Sequence, residues 1–132
     1  MGLFDKIFKS EPNKTTKEEN LFPWNNLASL ETLDKIVEDS YLQPVAILKH
    51  STSCGISRMV LRQFENEFDA ESGKVKLYFL DLISNREVSN KIASKFNVPH
   101  ESPQIILIKE GESVYDASHS SINADNLIKA IN

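Results

Sequence analysis

The order of apolar patterns along the chain restricts its fold more than any other feature. From Trp24 onward, short apolar runs of strand length alternate with amphipathic stretches of helix length. Residues 25–28 predict a short edge strand. Ser29 is placed to cap a helix in which Leu30, Leu33, Ile36 and Val37 recur at helical spacing as far as Tyr41 or Leu42. Pro44 ends that helix, and Val45-Ala46-Ile47-Leu48 has the unbroken apolar character of a strand buried on both faces. Beyond Cys54, residues Ile56, Val60, Phe64 and Phe68, with Leu61 beside them, mark one apolar helix face closed by Ser72-Gly73. Residues 75–81 predict another strand. Ser84-Asn85-Arg86-Glu87 predicts a capping box for a helix that carries Val88, Ile92 and Phe96 and stops before Pro99. Residues 104–109 and 112–117 flank Glu110-Gly111 as an antiparallel hairpin. Asn123 then caps a last helix, with Leu127, Ile128 and Ile131 toward the core.

The resulting order, β-α-β-α-β-α-β-β-α, belongs to the α/β class and predicts a central mixed sheet flanked by helices. A terminal hairpin followed by a helix resembles the connectivity of the thioredoxin fold. At 132 residues the chain suits one domain with a real core and no disulfide staples. That domain is expected over residues 21–132. Residues 1–20 are expected to form an N-terminal amphipathic extension and linker. Leu3, Phe4, Ile7 and Phe8 would share one helix face, suited to loose docking or to weak membrane-surface contact. Residues 10–20 carry no large apolar side chain. No apolar run approaches the roughly 20 residues of a membrane span, and no signal-peptide pattern is present. A formal net charge of -4 argues against a nucleic-acid partner.

The chain has a single cysteine, Cys54, which excludes an internal disulfide and any multi-cysteine zinc site and points to a reducing, cytoplasmic setting. It lies in Lys49-His50-Ser51-Thr52-Ser53-Cys54-Gly55-Ile56-Ser57, where a buried strand gives way to a helix. The first amides of a helix and its macrodipole favour a thiolate there, and such placement lowers a cysteine pKa from about 8.5 into the range of about 3.5–7.5. At a pKa of about 6 the thiolate fraction at neutral pH rises roughly 30-fold, while intrinsic nucleophilicity falls roughly 13-fold. Attack therefore gains only about twofold. The larger benefit comes when the cysteine must leave a mixed disulfide. Ser57 stands three residues on, one helical turn away, where its hydroxyl can donate to the thiolate but cannot form a disulfide. A second thiol must come from outside the chain.

Ser102-Pro103 precedes the apolar strand, where proline belongs in a turn or at a strand start. Proteins of thioredoxin type place a cis-proline there, opposite the cysteine, and leave the preceding backbone free to pair with substrate.

The segments His50–Ser57, Tyr78-Phe79-Leu80-Asp81-Leu82, Val88-Ser89-Asn90, Val98-Pro99-His100-Glu101-Ser102-Pro103-Gln104 and Ala117-Ser118-His119 resemble the YtxJ family, the monothiol bacilliredoxins of bacteria. The resemblance runs from about Trp24 to the C-terminus. It implies that Cys54 removes bacillithiol from protein mixed disulfides, with no bound cofactor and bacillithiol as the small-thiol co-substrate. Bacillithiolated client proteins and a low-molecular-weight thiol are the implied partners, and free thiol or a reductase restores the enzyme. Cys54 and Ser57 are then the catalytic pair. Thr52, Ser53, Gly55, His100, Glu101, Ser102 and Pro103 form the expected substrate-binding surface. Arg58 is a candidate for the carboxylates of bacillithiol, or else is simply solvated. Asp81 is expected to begin a turn. His50, His100 and His119 could tune the thiolate or bind an anionic cofactor, but they lie far apart in sequence, and no metal site is expected. The competing reading is a non-catalytic adaptor using the proline groove. A peroxide-sensing cysteine is disfavoured, because no proline and threonine precede Cys54 in that spacing.

Overall fold

A computed structural model describes residues 22–68 and 74–131. The elements are β1 (Trp24–Asn26), α1 (Leu30–Asp39), β2 (Val45–His50), α2 (Gly55–Glu67), β3 (Lys76–Asp81), α3 (Arg86–Phe96), β4 (Gln104–Lys109), β5 (Glu112–Ser118) and α4 (Ala124–Ile131), with a 3-10 turn at His119–Ser121 before the last helix. The order read from apolar patterning is the order observed. The expectation for residues 1–20 and the Ser72-Gly73 helix stop lie outside the described residues.

The strands form one sheet in the order β1-β3-β2-β4-β5. β1 and β2 run parallel to β3, whereas β4 is antiparallel to both β2 and β5. The sheet is therefore mixed, as expected, with β2 at its centre. Every residue of β2 is buried. Because side chains alternate along a strand, Val45 and Ile47 join the core beneath α1 and α3, with Leu33, Ile36, Val88 and Ile92. Ala46 and Leu48 join the opposite core beneath α2 and α4, with Val60, Phe64 and Leu127. The same alternation carries Lys49 into the first layer and His50 into the second.

Several boundaries differ from the pattern-based expectation. The edge strand covers Trp24–Asn26 rather than starting at Asn25, and Leu27 is instead fully buried. The first helix ends at Asp39, leaving Tyr41 and Leu42 exposed. Ile56 is 54% exposed, and it is Ser57 that faces inward at 0%. The first turn of α2 stands above the sheet edge, so the buried stripe runs Ser57, Val60, Phe64. The expected capping box does not form: Asn85 is the N-cap of α3 and makes no side-chain capping bond. Ser84 Oγ instead donates to Asp81 Oδ2 at 3.1 Å, and Asp81 Oδ1 accepts from the Ile83 amide at 3.1 Å. Asp81 thus organises a turn, and that turn takes the serine away from the helix. Among the described residues, no helix is long and apolar enough to cross a membrane.

Candidate active site around Cys54

The central strand delivers Cys54. β2 ends at His50, and the Cys54 amide donates back to Ser51 O at 3.1 Å, closing a turn through Ser51, Thr52 and Ser53. Ser51 Oγ and Ser53 Oγ lie 3.3 Å apart. Cys54 takes the N-cap position of α2 in extended conformation, φ -104° and ψ 124°, with no side-chain capping bond. Its carbonyl accepts the first helical bond from the Arg58 amide at 3.2 Å. The amides of the first turn are thereby left facing the sulfur.

Those amides control the thiol. The backbone N–H of Ser57, then that of Ile56, hold the Cys54 pKa below its ordinary value; the Ser57 hydroxyl and the Arg58 charge add smaller pulls, opposed by slight desolvation. Ser57 Oγ is buried without a hydrogen-bond partner of good geometry. It is a donor held ready beside the sulfur rather than one already engaged. Cys54 itself is half-buried, and Ile56 and Met59 of the first turns of α2 are exposed.

Antiparallel pairing supplies the second wall. Gln104, the first residue of β4, pairs with Lys49 near the end of β2, so the 99–103 loop lies at the same end of the sheet as Cys54. The Ser102-Pro103 peptide bond is cis. Pro103 O accepts from the His119 amide at 3.0 Å, and Gln104 Nε2 donates to Pro99 O at 3.1 Å. His119 Nε2 stands 3.8 Å from Glu101 Oε1, both side chains about half exposed. Cys54, Ser57, Thr52, Ser53 and Gly55 therefore share one turn, with Glu101, Ser102 and Pro103 across the same sheet end. His100 is turned differently. Its Nδ1 lies 3.2 Å from Lys49 Nζ and 3.4 Å from Ser89 Oγ, so that face of the ring braces the loop from below.

Two groups at this end are buried: Lys49, which the sequence pattern does not single out, and His50, which it offers only as a tuner of the thiolate or a ligand for an anionic cofactor. Lys49 is 0% exposed, and burial pushes its pKa down to about 8. His50 is 3% exposed, lies 5.0 Å from the Phe79 ring with the two planes tilted by 39°, and has neither ring nitrogen in a hydrogen bond of good geometry. Burial lowers the His50 pKa; the Asp81 charge and, more weakly, the nearby Ser57 backbone oppose this, and Arg58 reinforces it. The signal was present in β2 itself: a strand covered on both faces has no polar face to offer its last two residues. The three histidines occupy separate positions, and no cluster of metal-ligating side chains occurs among the described residues.

A family model described as monothiol bacilliredoxin BrxC matches residues 25–127. A solved thioredoxin-fold structure described as an oxidoreductase is 32% identical, with a TM-score of 0.73 over 83% of this chain and 95% of that one. Thioredoxin of Fasciola hepatica is similar at 23% identity and a TM-score of 0.62, covering 81% of this chain and 95% of that one. Thioredoxin of Malassezia sympodialis gives 19% identity and a TM-score of 0.64, over 82% and 87%. The latter two establish the likeness of fold alone.

Proposed function

The chain belongs to the monothiol bacilliredoxin (BrxC) family, and we propose that it removes bacillithiol from protein mixed disulfides through Cys54 alone. The observation that carries this reading is a single cysteine at an uncapped helix start, its thiolate favoured by the Ser57 and Ile56 amides.

In the first step the Cys54 thiolate attacks the bacillithiol sulfur of the client mixed disulfide. A Cys54–bacillithiol S–S bond forms, the client S–S bond breaks, and the client sulfur departs as a thiolate that takes a proton from solvent. In the second step a thiolate from solution or from a reductase attacks the bacillithiol sulfur, and Cys54 leaves as a thiolate. The α2 amides favour the charged sulfur at both ends of the cycle, and Ser57 is the hydroxyl that can donate to it. The backbone before Pro103 is the surface against which a client segment would lie, and Ile56 and Met59, exposed on α2, offer apolar surface to it.

The adaptor reading requires a thiol of ordinary acidity, and the lowered Cys54 pKa supports the catalytic one. Mass spectrometry of both partners after mixing with a bacillithiolated protein tests the proposal. One bacillithiol moves to the wild type and none to Cys54→Ala. Efficient transfer from a glutathionylated client with none from a bacillithiolated one would keep the chemistry and overturn the named thiol.

A further inference from the structure

Beside the cysteine turn, a groove of about 450 Å³ runs along α2, lined by His50, Thr52, Arg58, Arg62, Glu65 and Phe79. Arg58 and Arg62 are four residues apart and so project from one face of the helix. Arg58 Nη1 donates to Thr52 O at 3.1 Å, which folds the side chain back over the turn that leads to Cys54. Its Nη2 stands 4.0 Å from where a Cβ on Gly55 would lie, next to the cysteine itself. Among the described residues neither guanidinium is in an ion pair. The one carboxylate of the groove, Glu65, accepts from Trp24 Nε1 at 2.6 Å.

His50 makes this more than a basic helix face. Its ring is nearly fully buried, lines the groove, and leaves both nitrogens unsatisfied. Buried polar atoms normally have partners, and a turn of the His50 ring toward the groove would give its enclosed nitrogens one in an entering group. Two guanidiniums, an imidazole and one carboxylate sum to net positive charge, suited to a carboxylate-bearing guest. A planar guanidinium pairs with carboxylate in bidentate fashion. Phe79 supplies an apolar flank.

We infer that this groove is the subsite for the carboxylate-bearing, non-sulfur portion of the small thiol whose sulfur is joined to Cys54. The inference rests on the small-thiol reading above and adds to it the residues that choose the thiol. Arg58 and Arg62 hold the carboxylates, and His50 hydrogen-bonds the guest from the floor.

The test compares two small disulfides that differ in charge. Second-order rate constants are measured for the reduced protein with bacillithiol disulfide, which carries carboxylates, and with hydroxyethyl disulfide, which carries none. The ratio of the two constants, compared across variants, cancels any change in Cys54 reactivity. Arg58→Gln and Arg62→Gln together lower that ratio about tenfold, the scale of a lost charged hydrogen bond. Glu65→Gln raises it, because a negative charge leaves the groove. A ratio within twofold of wild type in both the double arginine variant and Glu65→Gln overturns the subsite while the redox function stands. Inertness of the wild type toward both disulfides overturns the function, and the subsite with it.

Discussion

A lysine amine enclosed in a protein core is costly unless the amine sheds its charge or finds a partner. Lys49 does some of each. Its Nζ reaches His100 Nδ1 and its pKa falls from 10.5 to about 8. At pH 7 the folded protein therefore holds a charged amine that the unfolded chain would hydrate freely, at a cost of up to about 3 kcal/mol. The sign follows from proton binding. Between about pH 8 and 10.5 the unfolded chain keeps the proton and the folded one releases it, so stability rises with pH across that window. Lys49→Met removes the charge at similar volume. It should raise stability at pH 7 by about 1–2 kcal/mol, with the gap to wild type closing by pH 10.5. Urea denaturation of both proteins at pH 7, 9 and 10.5 would show this; parallel pH profiles would rule it out. Lys49 also shows where pattern reading stops. The apolar run Val45-Ala46-Ile47-Leu48 announced a doubly buried strand, but a lysine after it looks like an exit to solvent. Only the pairing of Lys49 with Gln104 and of His50 with Asp81, which extends the strand by two residues, makes burial unavoidable.

Helix α2 differs from its neighbours at its first residue. Ser29 caps α1 through the Thr32 amide at 3.1 Å, and Asn123 Oδ1 accepts from the Asn126 amide at 2.7 Å at the start of α4. Both caps were legible as polar residues standing just before an apolar helical repeat. At α2 the same position holds Cys54, whose thiol is a poor acceptor, and the amides stay free for a thiolate. On the proposed mechanism, function thus occupies a site where stability would favour another residue. Cys54→Ser should stabilise the protein by about 1 kcal/mol relative to Cys54→Ala, since serine is a preferred cap, while neither variant carries bacillithiol. Thermal melts of the two variants at pH 7 make the comparison. Equal melting temperatures for the two variants would mean the first-turn amides are satisfied elsewhere. Ser57→Ala should shift the pH dependence of alkylation of Cys54 to higher pH, because a donor to the thiolate is lost. The cis Ser102-Pro103 bond was legible only through family resemblance, as no local pattern distinguishes it from a trans-proline entering a strand.

The molecule sets two imidazoles on opposite faces of one sheet, His50 nearly fully buried and His100 exposed but with its Nδ1 against Lys49 and Ser89, which makes its acid response a property of the whole fold. His50 lies on the α2 side against Phe79, with Asp81 and Arg58 as its charged neighbours. His100 meets Lys49 and Ser89 on the α3 side, with Arg86 and Glu101 near it. Burial lowers both pKa values, and for His100 the Lys49 charge lowers it further. As pH falls through 6.5 the unfolded chain takes up protons that the folded one refuses, so stability declines with acidification. The Lys49 penalty is nearly complete by about pH 7 and adds only a small slope at the upper end of this range. Separation by the sheet makes the two histidines independent, since uncoupled sites add within about 0.5 kcal/mol. His50→Phe and His100→Gln should each remove part of the stability lost between pH 7.5 and 5. The double variant should remove the sum. Denaturant midpoints for the four proteins at the two pH values test this directly. A double variant no flatter than either single would mean that protons on the two faces are linked through β2, and the two layers would have to be treated as one electrostatic unit.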